Sequence, residues 1–244
     1  MSYEFEVREE IVLPATTEEV WEAIATGPGV DSWFMGANDF EPGVGGAGRQ
    51  TVAGFTTHAT VTGWDPGERL AFTTDTAADG SFMAFEYLLE GRAGGSTVLR
   101  FVHSGLLTGD WEDQYDALSS GDALYLRKLH AYLTHFPGVT ADYALFEIGR
   151  PTPDAARVWA AFLDAFSLGQ PPEKGRVAVP GLNPDDAQVV FAESGFLCVV
   201  TATSMITLVH GYRDAVVAEH HAFPGEIARP LAEHAWRAWL GENF

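Results

Sequence analysis

The sequence predicts an α+β protein: a strongly curved antiparallel sheet wrapped round one long helix, followed by a truncated second copy of the same arrangement. Three observations predict it. The chain opens on an alternating strand and a capped, then broken, helix; residues 37 to 106 hold short strand candidates cut by turn signals; and after Gly138 the opening pattern returns in shorter form. Successive strands joined by short links pair as hairpins, so the sheet is antiparallel.

In "YEFEVREEIVLP", Tyr3, Phe5 and Val7 alternate with Glu4, Glu6 and Arg8, the period of a strand with one covered face. Thr16 then caps a helix, Glu19 closes the capping box, and Glu18 adds negative charge at the positive end of the dipole. Val20, Trp21, Ala23 and Ile24 form its apolar stripe, and Gly27-Pro28-Gly29 breaks it. Turn signals at "EPGVGGAG", "DPGE", "TAADG" and "RAGGS" separate strand candidates "TTHATVTGW", "RLAFTTD", "SFMAFEYLLEG" and "STVLRFVHSG". In "ALYLRKLHAYLTHF" the spacing of Leu126, Leu129, Leu133 and Phe136 is helical, and Pro137-Gly138 ends it.

The second half lines up with the opening: "DYALFEIGRPTPDAARVWAAFLDAF" repeats strand, Pro, Thr cap and Val-Trp helix, with Thr152 as cap and Pro153 in the first turn. Strand candidates "AQVVFAE", "FLCVVTA" and "SMITLVHGY" follow, then a closing helix "IARPLAEHAWRAWL". The expected domains are therefore 1–138 and 139–244. The second has too few strands for a roomy cavity, so it is expected to pack on the first, with Trp236 and Trp239 supplying much of the contact.

Composition narrows the function. With 244 residues, 46% hydrophobic and 20% charged, the chain reads as soluble and globular. It has no apolar run long enough to span a bilayer and no signal-peptide pattern at its start, which points to the cytoplasm. A formal charge of −20, from 34 acidic against 14 basic residues, repels phosphate backbones and anionic lipid. Neither nucleic acid nor a membrane is an expected partner. The single cysteine, Cys198, excludes an intrachain disulfide and reads as a buried structural thiol. His220 and His221 in "EHHAF" are adjacent on a strand and point to opposite faces, so no metal site is expected. "GVGGAG" lacks a following helix, and no cofactor is expected.

A curved sheet with a long helix across its concave side leaves a gap that side chains cannot wholly fill. The broken helix closes the open end and turns Trp33 and Phe34 toward the mouth. Together with Phe72, Phe85, Tyr87, Phe101, Trp111 and Tyr115 they offer an aromatic lining, with His58 as a polar handle. His103 shares a strand face with Leu99 and Phe101, which directs it inward as a candidate general base or ligand anchor. His58, Glu86 and Tyr87 are its candidate partners across the sheet, although Glu86, flanked by Phe85 and Tyr87, is expected to face outward.

The segments "LPATTEEVWEAIATGPGVDSWF", "VTGWDPGERLAFT", "STVLRFVHSGL", "DWEDQYDAL" and "LRKLHAYLTHF" resemble the START-like or SRPBCC superfamily. Within it they are most similar to the branch named after activators of the heat-shock chaperone ATPase, the Aha-type. The second half, through "AEHHAFPGEIARPLAEHAWRAWL", resembles two-part actinobacterial members of that branch. The resemblance implies a helix-grip fold with a largely apolar cavity, in a superfamily whose members bind lipids, hormones, polyketides or aromatic compounds. Three functions stay open. The first is binding of a small hydrophobic or aromatic molecule; the second is a metal-free enzyme of the cyclase, dehydratase or hydrolase type using His103. The third is an interaction protein acting on a chaperone or regulator, and a homodimer or other protein partner is left open.

Overall fold

The computed structural model describes residues 2–169, 173–193 and 195–244. The chain divides into two compact units, Met1–Thr140 and Ala141–Phe244. Each is an α+β unit built on one antiparallel sheet.

In the first unit, β1 (Ser2–Leu13) leads through α1 (Thr17–Ala25) and α2 (Gly27–Asp31) to β2 (Ala37–Phe40). The meander β3 (Ala47–Val52), β4 (Phe55–Asp65), β5 (Arg69–Thr74), β6 (Phe82–Arg92) and β7 (Ser96–Thr108) follows, and α3 (Trp111–His135) closes the unit. The sheet order is β1-β7-β6-β5-β4-β3-β2. The consecutive strands β1 and β2 thus occupy opposite edges, and their connection must cross the sheet; this lays α1 and α2 over its inner face. The long helix packs on β1 and β7, at the other side of that face.

Helix α3 is 25 residues long and begins twelve positions before the stretch where the sequence shows helical spacing. Its first half, "WEDQYDALSSGD", carries a sparser stripe, Trp111, Tyr115 and Leu118 at helical spacing, which packs on Phe5, Val7 and Leu107 of β1 and β7. The buried stripe of Leu124, Leu126, Leu129, Tyr132 and Leu133 lies in the second half.

The second unit repeats the order with one strand fewer. It runs β8 (Tyr143–Ile148), α4 (Ala155–Asp164), β9 (Lys174–Arg176), β10 (Asp186–Glu193), β11 (Phe196–Val200), β12 (Ser204–His210), β13 (Val216–Ala222) and α5 (Arg229–Asn243). Its sheet order is β8-β13-β12-β11-β10-β9, so first and last strands again pair side by side. The abbreviation is milder than expected: β9 is only three residues long, and β13, "VVAEHHA", is buried on both faces and therefore shows no alternation. Asp154, not Thr152, caps α4, accepting from the Arg157 N–H at 3.0 Å.

Trp236 and Trp239 belong to this unit's own core. Trp236 is wholly buried with Phe162 and Phe166; it meets Trp239 edge-on at 5.6 Å, and Trp239 meets Phe244 at 5.5 Å. Cys198 is buried and free of disulfide bonding.

Candidate functional site

The site begins with the break between α1 and α2. The last carbonyls of a helix have no partner within it, and here two of those of α1 are taken by side chains from the break. The Thr26 hydroxyl donates to the Glu22 carbonyl at 2.7 Å and accepts from the Gly29 N–H at 3.1 Å, ending one helix and starting the next. The Trp33 indole N–H donates to the Ala23 carbonyl at 2.8 Å. Glycine is required at the break, since a Cβ on Gly29 would stand 1.9 Å from the Glu22 carbonyl oxygen and one on Gly27 2.5 Å from that of Asn38. At the other end of α1, the Thr16 and Glu19 capping box forms in both directions.

Held this way, the helix pair roofs a cavity of about 160 Å³ over β2 to β6. Ile24, Val30, Trp33 and Phe34 form the roof, while Phe40, Ala59, Phe72, Met83, Phe85 and Tyr87 form the floor and walls. Its polar residues are Asn38, Gln50, Thr57 and Thr74, with Arg49 at the border. Arg49 lies opposite Asp39 and His58 in register, so alternation sends its side chain to the outer face. The Asn38 amide donates to Asp31 at 2.9 Å, and the Gln50 amide donates to the Asn38 carbonyl at 3.1 Å. Burial raises the Asp31 carboxyl above its ordinary range, against the two hydrogen bonds from Asn38.

Of the residues expected in the lining, Trp33, Phe34, Phe72, Phe85 and Tyr87 are there. Phe101 is not; it is buried behind Tyr87, ring centres 4.9 Å apart. His58 is exposed, because its neighbours Thr57 and Ala59 supply the inward positions of β4. Trp111 and Tyr115 start α3 and pack on β1 instead, with Trp111 stacked on Tyr3 at 3.9 Å and Tyr115 edge-on to Phe5 at 6.5 Å. Among the described residues none of α3 lines the cavity. The hollow lies under the broken helix and not, as expected, between sheet and long helix; Phe5, Val7, Leu107, Trp111 and Tyr115 pack together where the start of α3 meets β1 and β7.

His103 points inward as expected, but its partner is Asp122 of α3. The His103 Nδ1 lies 2.9 Å from Asp122 Oδ2 and 3.2 Å from Oδ1. An ionised carboxylate only accepts, so Nδ1 is the donor of this bond, and in the neutral ring Nε2 is then the atom with the lone pair. His103 is 2% exposed, and its Nε2 has no hydrogen-bond partner among the described residues. Burial, with the negative charge of Asp122 adding to it, raises the Tyr87 phenol well above its ordinary value. Glu86 faces away, paired with Arg69 at 2.6 Å.

Residues 14–134 match the family described as "Activator of Hsp90 ATPase homolog 1-like protein". The first unit belongs to this family. No curated protein matches the chain significantly. Among solved structures, the chain is similar to protein MLL2253 from Mesorhizobium loti at 23% identity, over 54% of this chain and 98% of that one, with a TM-score of 0.49. It is similar to protein SA2116 from Staphylococcus aureus at 19% identity, over 55% and 95%, with a TM-score of 0.48. It is also similar to the Aha1 dimer from Colwellia psychrerythraea at 20% identity, over 55% and 98%, with a TM-score of 0.43. Among the described residues no helix is long and apolar enough to cross a membrane.

Two features of the Aha-type unit lay outside sequence reasoning. Asp122 sits in the more polar half of α3, where its helical spacing from Trp111, Tyr115 and Leu118 places it on the packed face and was the signal that could have found it. Asn38 and Gln50 lie on β2 and β3, two short strands with little hydrophobic alternation.

The second unit has its own polar cluster around His220. The Trp236 indole N–H donates to His220 Nδ1 at 3.1 Å, so the neutral ring carries its proton on Nε2, which donates to the Ser204 oxygen at 2.8 Å. The Ser204 hydroxyl donates to Glu226, which also accepts from Thr203 at 2.9 Å and Asn183 at 2.7 Å. The residues have a hydrolase's composition, but the protons run the wrong way: the serine donates to the carboxylate, and the histidine is not its base. Burial pushes His220 down to about 4, with Glu226 opposing the shift. His221 faces the other side of the sheet, 3.9 Å from Glu219.

Proposed function

We propose that the Aha-type unit binds a small apolar or aromatic molecule in the cavity beneath α1 and α2. The observation that carries this reading is free volume of about 160 Å³ bounded mainly by Trp33, Phe34, Phe40, Phe72 and Phe85, with the amide of Gln50 among the few polar groups. An engineered apolar cavity of about 150 Å³ holds a benzene molecule. The space therefore suits one ring or an alkyl group of similar size. Binding is driven by apolar burial, at about 0.8 kcal/mol per methylene, and the polar edge sets orientation.

Acid–base turnover in the same cavity is the second reading, and the His103 and Asp122 pair is what favours it. Two observations weigh against it. His103 is not among the lining residues, and the volume is small for a polycyclic substrate.

Native mass spectrometry of freshly purified protein tests the binding reading, together with thermal shifts across a library of single-ring compounds. A co-purifying small molecule, or shifts that Ala59→Leu abolishes by filling the cavity, support it. Neither a bound molecule nor any shift contradicts it.

A further inference from the structure

We infer that His103, oriented by Asp122, is a buried acceptor for the hydroxyl of a phenol-type ligand, reached from the cavity when the Phe85 ring moves aside. This rests on the proposed binding reading and names the chemistry of its deep end.

The argument starts from a row of rings on the inner face of the sheet. Phe72, Phe85 and His103 are cross-strand partners on β5, β6 and β7. Phe40 extends the row at one end and Phe5 at the other, with successive centre-to-centre distances of 5.2, 5.0, 4.2 and 5.0 Å. The first three rings line the cavity and the last two do not. Phe85, nearly parallel to His103 at 24°, is thus the partition between free volume and the histidine. It is only half-buried, whereas His103 behind it is closed off. Phe85 stacks on both Phe72 and His103, so a guest ring that takes its place restores the contacts its movement gives up.

What lies behind the partition is unsatisfied. Nε2 is at the end of the imidazole farthest from β7, so it stands between sheet and helix, and no described group reaches it. The Ser119 hydroxyl, one turn before Asp122 on α3, is a second buried polar atom without a partner among the described residues. Native interiors rarely leave such atoms unpaired, and the unpaired Nε2 beside the aromatic row is the atom a polar guest would satisfy. The pair is also electrostatically close to the cavity, since the charge of Asp122 acts on the lining residue Tyr87.

The chemistry of the guest follows from the proton inventory. In the neutral tautomer with Nδ1–H given to Asp122, Nε2 offers a lone pair and requires a donor. A ketone or ether has none. A carboxylate would bring a second negative charge beside Asp122 into a low-dielectric site. A hydroxyl on a flat ring meets both demands, and the ring takes the place that Phe85 leaves in the row.

The test compares p-cresol with toluene, which differ by the hydroxyl alone, on the full chain. Calorimetry is expected to give p-cresol about tenfold tighter binding, equivalent to about 1.4 kcal/mol, and His103→Phe is expected to bring the two compounds level. Nitrogen-15 spectra of the histidine rings of the unaltered protein provide a readout that does not depend on a variant folding: the His103 Nε2 signal is expected to move with p-cresol and stay put with toluene. An Nε2 unmoved at saturating p-cresol, or equal affinities in the unaltered protein, overturns this inference and leaves the cavity reading standing. Failure of both compounds to bind overturns both.

Discussion

His220 shows how a single buried ring links composition to pH. Its pKa is held at about 4 in the fold, against about 6.5 in an unfolded chain. Between those values the unfolded state takes up a proton that the folded state refuses, so stability is complete above about pH 6.5 and falls as the pH drops toward about 4. Urea midpoints measured across this window are expected to decline on acidification, and His220→Gln is expected to flatten the decline. A variant with the same slope as the parent assigns the effect to other groups. Trp33 makes a different residue-scale contribution, because its N–H caps a helix carbonyl. Trp33→Phe keeps the ring and leaves that carbonyl unpaired, with an expected loss of about 1–2 kcal/mol in urea unfolding.

At the scale of elements, the two helix-linked glycines Gly29 and Gly121 separate steric need from mere tolerance. A Cβ at Gly29 would collide with the Glu22 carbonyl, whereas one at Gly121, inside α3, has nothing within 4 Å outside its own helix. Gly29→Ala is expected to force α1 and α2 apart, lower the melting temperature by an amount equivalent to about 2 kcal/mol or more, and weaken any cavity ligand. Gly121→Ala is expected to raise stability by about 0.5–1 kcal/mol. Equal effects of the two, measured by thermal denaturation, contradict this account of the break. The sequence displayed these elements unevenly. "TTEEVWEAIATGPG" carries its cap, stripe and stop in adjacent residues, so α1 and its break were legible. The short β9 and the doubly buried β13 were not, because each lacks the one-sided burial that writes a period into a sequence; the start of α3 has only a sparse stripe, Trp111, Tyr115 and Leu118.

For the whole molecule, the Aha-type fold of the first unit was legible from motif order, and so was a second unit of related layout. The site was legible by halves. Aromatic positions on alternating strands, such as Phe72, Phe85 and Tyr87, announce an inner face. Which hollow survives is decided by tertiary packing, as when Tyr3 stacks on Trp111 and removes both Trp111 and Tyr115 from the lining. The central claim is that the first unit keeps accessible apolar volume beneath α1 and α2, and its methionines report on it directly. Met83 lines the cavity, while Met205 is buried on β12 in the second unit. Methyl carbon-13 spectra of methionine-labelled protein titrated with toluene are expected to show a saturable shift of Met83 with Met205 unchanged; no shift at Met83, or equal shifts at both, contradicts the account.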